Sequence, residues 1–540
     1  MRKVATTAIF LLASAPAAAS NVTEFPDNGS EQMGRGGAWV ARASDPLATF
    51  YNPAGLAGQP TKLTIQVNLP FQQTCFSRVQ DPNDTTIDTL SGGPGMPFPK
   101  VCNDLGTFPV PSIGFTLRVT PRLGLGLLIF APSGAAGGAW PEFLANGNGQ
   151  LVPAPERYLA TYTNAFFLNP TLGVGWEPID RLRIGAAFVG GIANAQFSDG
   201  AMSINGTNED PRSNDIKAHL STATVFVPGF TLGAIWSPTP MLDVAGWYKF
   251  SAPVDASADV TTYANYYNLS QTPVVGNSAQ KDCGTGQTSF DTVCVPGAGH
   301  VKLAVPMEAK LGVRLHKPRH WLSPEAASEH RRDPMAQDIW DLELDLTWAN
   351  DSAMNNLNIT FPSSPALPVN GIPGGVVPPN ASVPFNFNDV IGVRLGGDYN
   401  VIPNRLAVRA GTFFESQAAS TDSKGNANYM NTDFAAGARV GLALGATVRI
   451  PLKKNASPTE GGALELSAGY MHMFVTTLTN SVSATEGVHA LAGTPCETGT
   501  VGANGLCANN MQPYRSTWIA NLGTITNALD VINIGASYRF

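Results

Sequence analysis

Strict alternation of apolar and polar residues recurs along this 540-residue chain and limits its fold more than any other feature. The clearest case is Asp341-Leu342-Glu343-Leu344-Asp345-Leu346-Thr347-Trp348, with leucines in one phase and acids in the other. Successive side chains of an extended chain point to opposite faces, so this segment is a strand with one wholly apolar face. The end of the chain repeats it: Ile532, Ile534, Ala536, Tyr538 and Phe540 share one side, Asn533, Ser537 and Arg539 the other. Fourteen strands are predicted, at 63–71, 111–119, 123–131, 161–176, 182–198, 219–236, 241–260, 300–316, 339–352, 388–400, 405–416, 433–450, 462–477 and 529–540. The pattern suits a sheet between lipid and a polar lumen, and equally a soluble sandwich that buries its apolar face on a second sheet.

The connections decide between these. Thr120-Pro121-Arg122, Glu177-Pro178-Ile179-Asp180-Arg181, Ser237-Pro238-Thr239-Pro240 and Val401-Ile402-Pro403-Asn404 are tight turns marked by proline. Between them lie long loops at about 72–110, 132–160, 199–218, 261–299, 353–387, 417–432 and 478–528, with medium links at 317–338 and 451–461 on the short side. Short turns at one end and long loops at the other are the asymmetry of transmembrane barrels. The expected fold is an all-β membrane protein, a 14-stranded antiparallel transmembrane β-barrel.

Residues 1–20 have the form of an export signal: Arg2 and Lys3, an apolar run from Val4 to Ala13, and cleavable small residues at Ala17-Ala18-Ala19. The mature chain is expected to begin near Ser20 or Asn21. Six cysteines fall into three local pairs, Cys75/Cys102, Cys283/Cys294 and Cys496/Cys507. In an exported chain these predict three disulfides, each in a long loop of the same barrel end. Their spacing does not suit zinc, and no metal or cofactor is expected. Charged residues make up only 14%, net charge is −7, and no basic run occurs, so nucleic acid is not an expected partner.

Residues 21–62 differ from the rest, with a stretch from Ser30 to Ala48 rich in Ala and Gly. They predict short, closely packed helices and turns. The segment ends in Phe50-Tyr51-Asn52-Pro53-Ala54-Gly55-Leu56, where Asn52 suits an N-cap and Pro53 the first helical position. Gly55 and Gly58 limit that helix to about a turn. Fourteen strands leave a lumen that is either open or plugged, and 21–62 is the candidate plug. The expected organisation is a signal at 1–20, a hatch at 21–62 and a barrel at 63–540.

The Asn52-Pro53-Ala54 corner resembles the signature of the FadL-type outer-membrane transporters of long-chain fatty acids and other hydrophobic compounds. The likeness runs from Gly34-Arg35-Gly36 through Ala41, Asp45, Pro46, Ala48 and Phe50 to Leu56, and continues in Gly124-Leu125-Gly126, Pro132-Ser133-Gly134 and the terminal Phe540. The loops, their cysteines and the 317–338 insertion depart from it. The resemblance implies a passive transporter in the outer membrane of a Gram-negative bacterium. Cargo would be captured at external loops, pass along the hatch and leave sideways through an opening in the third strand. Phe50, Tyr51, Gly124, Gly126 and Pro132 then become candidates for the ligand path, with Phe25 and Trp39 as further hatch surface.

Arg118, Arg183, Arg314, Arg394, Arg409 and Arg439, with Glu343 and Asp345, fall on the polar phase of their strands and predict a lumenal charge ladder. The terminal Tyr538-Arg539-Phe540 resembles the signal read by the barrel assembly machinery. Expected partners are therefore a long-chain fatty acid or other hydrophobic small molecule, outer-membrane lipid and that machinery, for a monomer. A porin or adhesin-like barrel is the alternative. A barrel enzyme is the remote one, since the chain has no G-x-S-x-G, H-E-x-x-H or P-loop motif.

Overall fold

The computed structural model describes residues 28–540 except 83–87, 105–108, 132–134, 160, 202–215, 265, 268–292, 321–331, 361–365, 368–374, 377–379, 422–424, 426, 428–435, 453–461 and 482–520. The expected signal, Phe25, Pro132, Cys283, Cys496 and Cys507 lie outside the described residues, and Cys294 is described only as strand backbone.

Fourteen antiparallel strands form the wall. They are β1 (Lys62–Arg78), β2 (Val110–Arg118), β3 (Leu123–Phe130, resuming at Ala135–Ala139), β4 (Tyr162–Ile179) and β5 (Leu182–Ala201). Next come β6 (Ile216–Thr222 and Val225–Thr239), β7 (Leu242–Ser251 and Val254–Ala264), β8 (Val293–Leu303 and Glu308–Pro318) and β9 (Asp338–Ala349 and Asn356–Thr360). The last five are β10 (Asn380–Pro384 and Val390–Ile402), β11 (Leu406–Glu415), β12 (Arg439–Pro451), β13 (Ala463–Val475) and β14 (Gly523–Arg539). Each pairs with its sequence neighbour, and β14 closes on β1 in unbroken register from Lys62↔Arg539 to Arg78↔Gly523. Closure leaves no unpaired sheet edge, which the interior of a bilayer requires.

Burial separates the two readings left open by alternation. On β9 the acids Asp341, Glu343 and Asp345 are buried, while Leu342, Leu344 and Leu346 are about half exposed. A soluble sandwich would show the reverse. The outer surface is an apolar belt bounded near the tight turns by exposed Trp176, Trp236, Tyr399, Tyr538 and Phe540. Exposed Phe71, Phe226, Phe414 and Phe474 lie toward its other edge. From Phe226 to Trp236 a tilted strand rises about 23 Å, close to the height of a barrel's lipid-facing band.

Several strands run further than expected. β1 continues to Arg78, so Cys75 lies in the sheet rather than in the first loop, directly opposite Cys102. The two form a disulfide with Cα atoms 3.9 Å apart. Beyond the bilayer both faces of a strand meet water or loops, and the alternation that marks its membrane part disappears. β6, β7, β8, β9 and β10 each extend outward through a second segment after a short break.

The lumen is graded. Its outer half is filled by an apolar cluster that includes Phe167, Phe197, Leu220, Val260, Val301 and Ile359. The inner half carries much of the expected charge ladder, with Arg314 paired to Asp243, Asp338 and Asp341 and Arg409 to Asp398. Arg394 and Arg439 pair with Glu415 toward the outer edge of the belt. The link between β8 and β9 contributes Asp333, which pairs with Arg449 and Arg539 at the inner ends of β12 and β14.

Candidate functional site

The N-terminal segment lies across the bore as a plug. It contains α1 (Ser30–Gly34), α2 (Ala48–Tyr51) and a 3₁₀ turn at Pro53–Leu56. These pieces are too short to be stable helices alone, so contacts with the wall hold them. The Asn52 carboxamide links two parts of the plug. Its Oδ1 accepts from the Ala54 N–H at 3.2 Å, capping the 3₁₀ turn, and its Nδ2 donates to the Val40 carbonyl at 2.7 Å. Pro53 occupies the first position of the turn, where its missing N–H is not needed.

Glycines in the wall make room for this corner. A Cβ on Gly124 would overlap the Leu56 carbonyl, and one on Gly126 the Thr49 hydroxyl. Gly175 and Gly185 meet the Pro53–Ala54 backbone in the same way, and Gly233 meets Asn52 Oδ1. The two glycines singled out on β3 thus belong to a saddle that runs over β3, β4, β5 and β6. Across the bore, the backbone of Arg35 lies as closely on Gly396 and Gly411.

Charge fixes the other side of the plug. The fully buried Arg35 guanidinium reaches Asp341 at 2.6 Å, Asp398 at 2.7 Å and Glu343 at 3.2 Å. Arg42 pairs with Asp341, Asp398 and Glu31. Asp345 and Glu343 also accept backbone N–H groups of the plug, at Trp39 and Val40 and at Ala41. Acids two residues apart on one strand thereby hold both the charge and the backbone of the plug. The alternation of β9 signals such a need for cationic partners, but Arg35 and Arg42 lie some 300 residues away in sequence.

Above the corner, Phe50 and Tyr51 meet the wall. Phe50 lies edge-on to Phe130 at 4.9 Å between ring centroids, and Tyr51 to the same ring at 6.0 Å. Trp247 donates from its indole nitrogen to the Phe50 carbonyl at 2.7 Å. Lys310 sits over the Tyr51 and Trp247 rings, 5.4 Å and 5.2 Å from their centroids. Trp39 belongs to the same buried cluster and donates from its indole nitrogen to Glu31 at 3.0 Å. Phe130, Trp247 and Lys310 carry no motif, and only the fold brings them to the plug.

Phe130 is also the last residue of the described β2–β3 ladder. Between β2 and β3 the ladder runs from Arg118↔Gly124 to Ser112↔Phe130. The next bond among the described residues is from the Asp104 N–H to the Ala139 carbonyl, at 2.7 Å. Along β1, pairing with β2 ends at Asn68↔Val110 and resumes at Cys75↔Cys102. The aromatic pair of the plug therefore meets the wall where the described β2–β3 ladder ends.

No family model matches the chain, and no curated protein matches it. Solved structures do. A FadL homologue from Pseudomonas aeruginosa superposes with a TM-score of 0.63 at 16% identity, covering 96% of this chain and all of that one. The Pseudomonas putida toluene transporter TodX gives 0.54 at 12% identity over 95% of this chain and 98% of its own. The Ralstonia pickettii toluene transporter TbuX gives 0.54 at 13% over 96% and 99%. Identity at this level speaks for architecture alone: the chain has the FadL-type fold, a barrel of fourteen strands with an N-terminal plug across its bore.

Proposed function

We propose that the protein is a passive transporter that carries hydrophobic compounds across the outer membrane, with long-chain fatty acids as the first candidate cargo. The observation that carries this reading is the contact of Phe50 and Tyr51 with Phe130, the last residue of the described β2–β3 ladder. It sets the aromatic face of the plug against the wall where that described ladder ends.

The physical logic favours a greasy cargo. Each CH₂ moved into water costs about 0.8 kcal/mol, so a water-filled pore gives a long alkyl chain no reason to enter. Capture among the outer loops, passage over Phe50 and Tyr51, and exit near Phe130 and Pro132 into lipid would avoid that step, with Gly124 and Gly126 serving to seat the plug rather than to pass cargo. The solved structures that share the fold, described as toluene transporters and a monoaromatic hydrocarbon channel, support an apolar cargo. No part of this route needs a cofactor, a metal or catalysis, and a monomer suffices. The exposed Phe540 ring packs edge-on to Tyr538 at 4.7 Å.

The test is uptake. Cells that depend on external long-chain fatty acid should lose growth when the gene is deleted and regain it with the intact gene. Deleting Pro132-Ser133-Gly134 alone should abolish uptake while the barrel still assembles, shown by heat-dependent mobility on a gel. Undiminished uptake of fatty acids, alkanes and monoaromatics after gene deletion would sink the proposal.

A further inference from the structure

Between the plug and the tight-turn end of the barrel lies a second cavity, of ≈ 440 Å³. It is separate from the aromatic cluster at Phe130 and opens between the turns, where Thr239, Pro240 and His320 are exposed. Its walls include Ala41, Ala43, Pro240, Pro334 and Ala336, so much of its surface is apolar. Its size is within the range of pockets that hold small organic ligands.

Five arginines line it, Arg42, Arg181, Arg183, Arg314 and Arg332, against the three carboxylates of Glu177, Asp243 and Asp338. Arg42 and Arg314 are already held by acids of β9. Glu177 lies 3.3 Å from Arg332 and accepts the Arg181 backbone N–H at 2.9 Å. Arg181 also donates to the Pro238 carbonyl at 3.2 Å. Arg183 is served less well. Only 3% exposed, it makes a long hydrogen bond to Ser237 at 3.4 Å and stands 3.6 Å from Asp243. Asp243 is also held by Arg314 at 3.0 Å and by the Ser237 hydroxyl. Arg183 Nε has no acceptor among the described residues. A buried guanidinium whose donors are part-used is costly, and a planar carboxylate matches its fork of donors.

We propose that this inner cavity is a binding site for an organic monocarboxylate, with Arg183 as the anchor of the head group and the Ala- and Pro-lined wall as the seat of its apolar body. Arg181 and Arg332 add positive potential from the rim. The apolar wall argues against a bare inorganic anion, which would lose hydration there without gaining further donors. The site needs neither the lateral route nor capture at the outer loops, so it stands or falls independently of the transport reading.

The experiment uses the full-length protein in lipid nanodiscs, titrated calorimetrically with decanoate, decanol and inorganic phosphate. Decanoate should bind at least tenfold more tightly than decanol, as expected for a charge-assisted hydrogen-bonded head group. Arg183→Gln should remove that preference. Ala336→Trp, which fills the cavity and keeps every charge, should weaken decanoate binding as well, whereas Arg122→Gln, outside the cavity, should not. A bromine-labelled decanoate located by anomalous scattering should lie beside Arg183. Equal binding of decanol, phosphate binding as tight as decanoate, an unchanged Arg183→Gln variant, or bromine found only beside Trp247 would each overturn the assignment.

Discussion

The Asn52 carboxamide is satisfied at both ends, capping Pro53–Leu56 and tying that turn to Val40, inside a lumen that offers no water to replace it. Asn52→Ala leaves the Ala54 N–H and the Val40 carbonyl buried without partners, a cost of about 1–3 kcal/mol. Amide exchange across residues 53–57 should then accelerate by roughly tenfold to a hundredfold, with strand amides unchanged. Gly233→Ala should give the same loosening from the wall side, because its Cβ meets Asn52 Oδ1, while Gly246→Ala finds ordinary space and should be silent. Exchange that stays slow in both Asn52→Ala and Gly233→Ala would show that the corner is held by other contacts. A different residue governs the outer loops. Glu156, in the 3₁₀ turn Pro155–Tyr158, is fully buried with no other described residue donating to its carboxylate. Burial, only partly offset by its own backbone N–H and by Arg157 and Arg78, raises its pKa from 4.5 to about 8. Between those values the folded loop holds a proton that the unfolded chain has released, so the loop loses stability as pH rises through that window. Protease nicking around 151–159 should be slower at pH 6 than at pH 9, and Glu156→Gln should remove the difference.

At the scale of elements, the plug is docked through ion pairs whose side chains are buried on both sides. Removing one member of such a network strands the remaining charge, at a cost of about 3–5 kcal/mol, although the intact network adds little net stability. Asp341→Asn takes a carboxylate from Arg35, Arg42 and Arg314 together, so it should release the plug, read as new protease access within 28–61 of an assembled barrel. Arg122→Ala breaks a half-exposed pair with Asp180 and should change nothing measurable. The two cases also show what a sequence can and cannot display. β9 was legible because lipid on one face and charge on the other impose period two on every residue from Asp341 to Leu346. The corner at Asn52 was legible because capping is local chemistry. The partners of β9 were not, since Arg35 and Arg42 reach it only through the closed wall. The outer part of β1 was missed for a related reason: Gln72 and Gln73 stand above the lipid, where no solvent contrast imposes alternation. The strand breaks near 223–224, 252–253 and 304–307 likewise fall beyond the apolar belt.

For the whole molecule, the wall and the plug answer to different forces. The wall is a closed hydrogen-bonded ladder with a lipid-facing belt, and each of its fourteen junctions forms without any plug residue. The plug has almost no regular structure of its own and borrows its shape from wall glycines, buried acids and the Phe130–Trp247 aromatics. Deleting residues 28–61 should therefore leave an assembled, heat-modifiable barrel. Its lumenal arginines and acids, buried in the intact protein, would take up water and keep most of their mutual pairs on adjacent strands. Single-channel conductance in planar bilayers should rise by an order of magnitude or more over the intact protein, and cells carrying the deletion should become permeable to small hydrophilic antibiotics. A water-filled porin, whose bore does not depend on this segment, would show the same conductance with and without it. Because hydrophobic cargo gains nothing from a wet bore, the same deletion should raise conductance while lowering fatty-acid uptake, and that opposite movement separates a plugged transporter from an open pore in one strain.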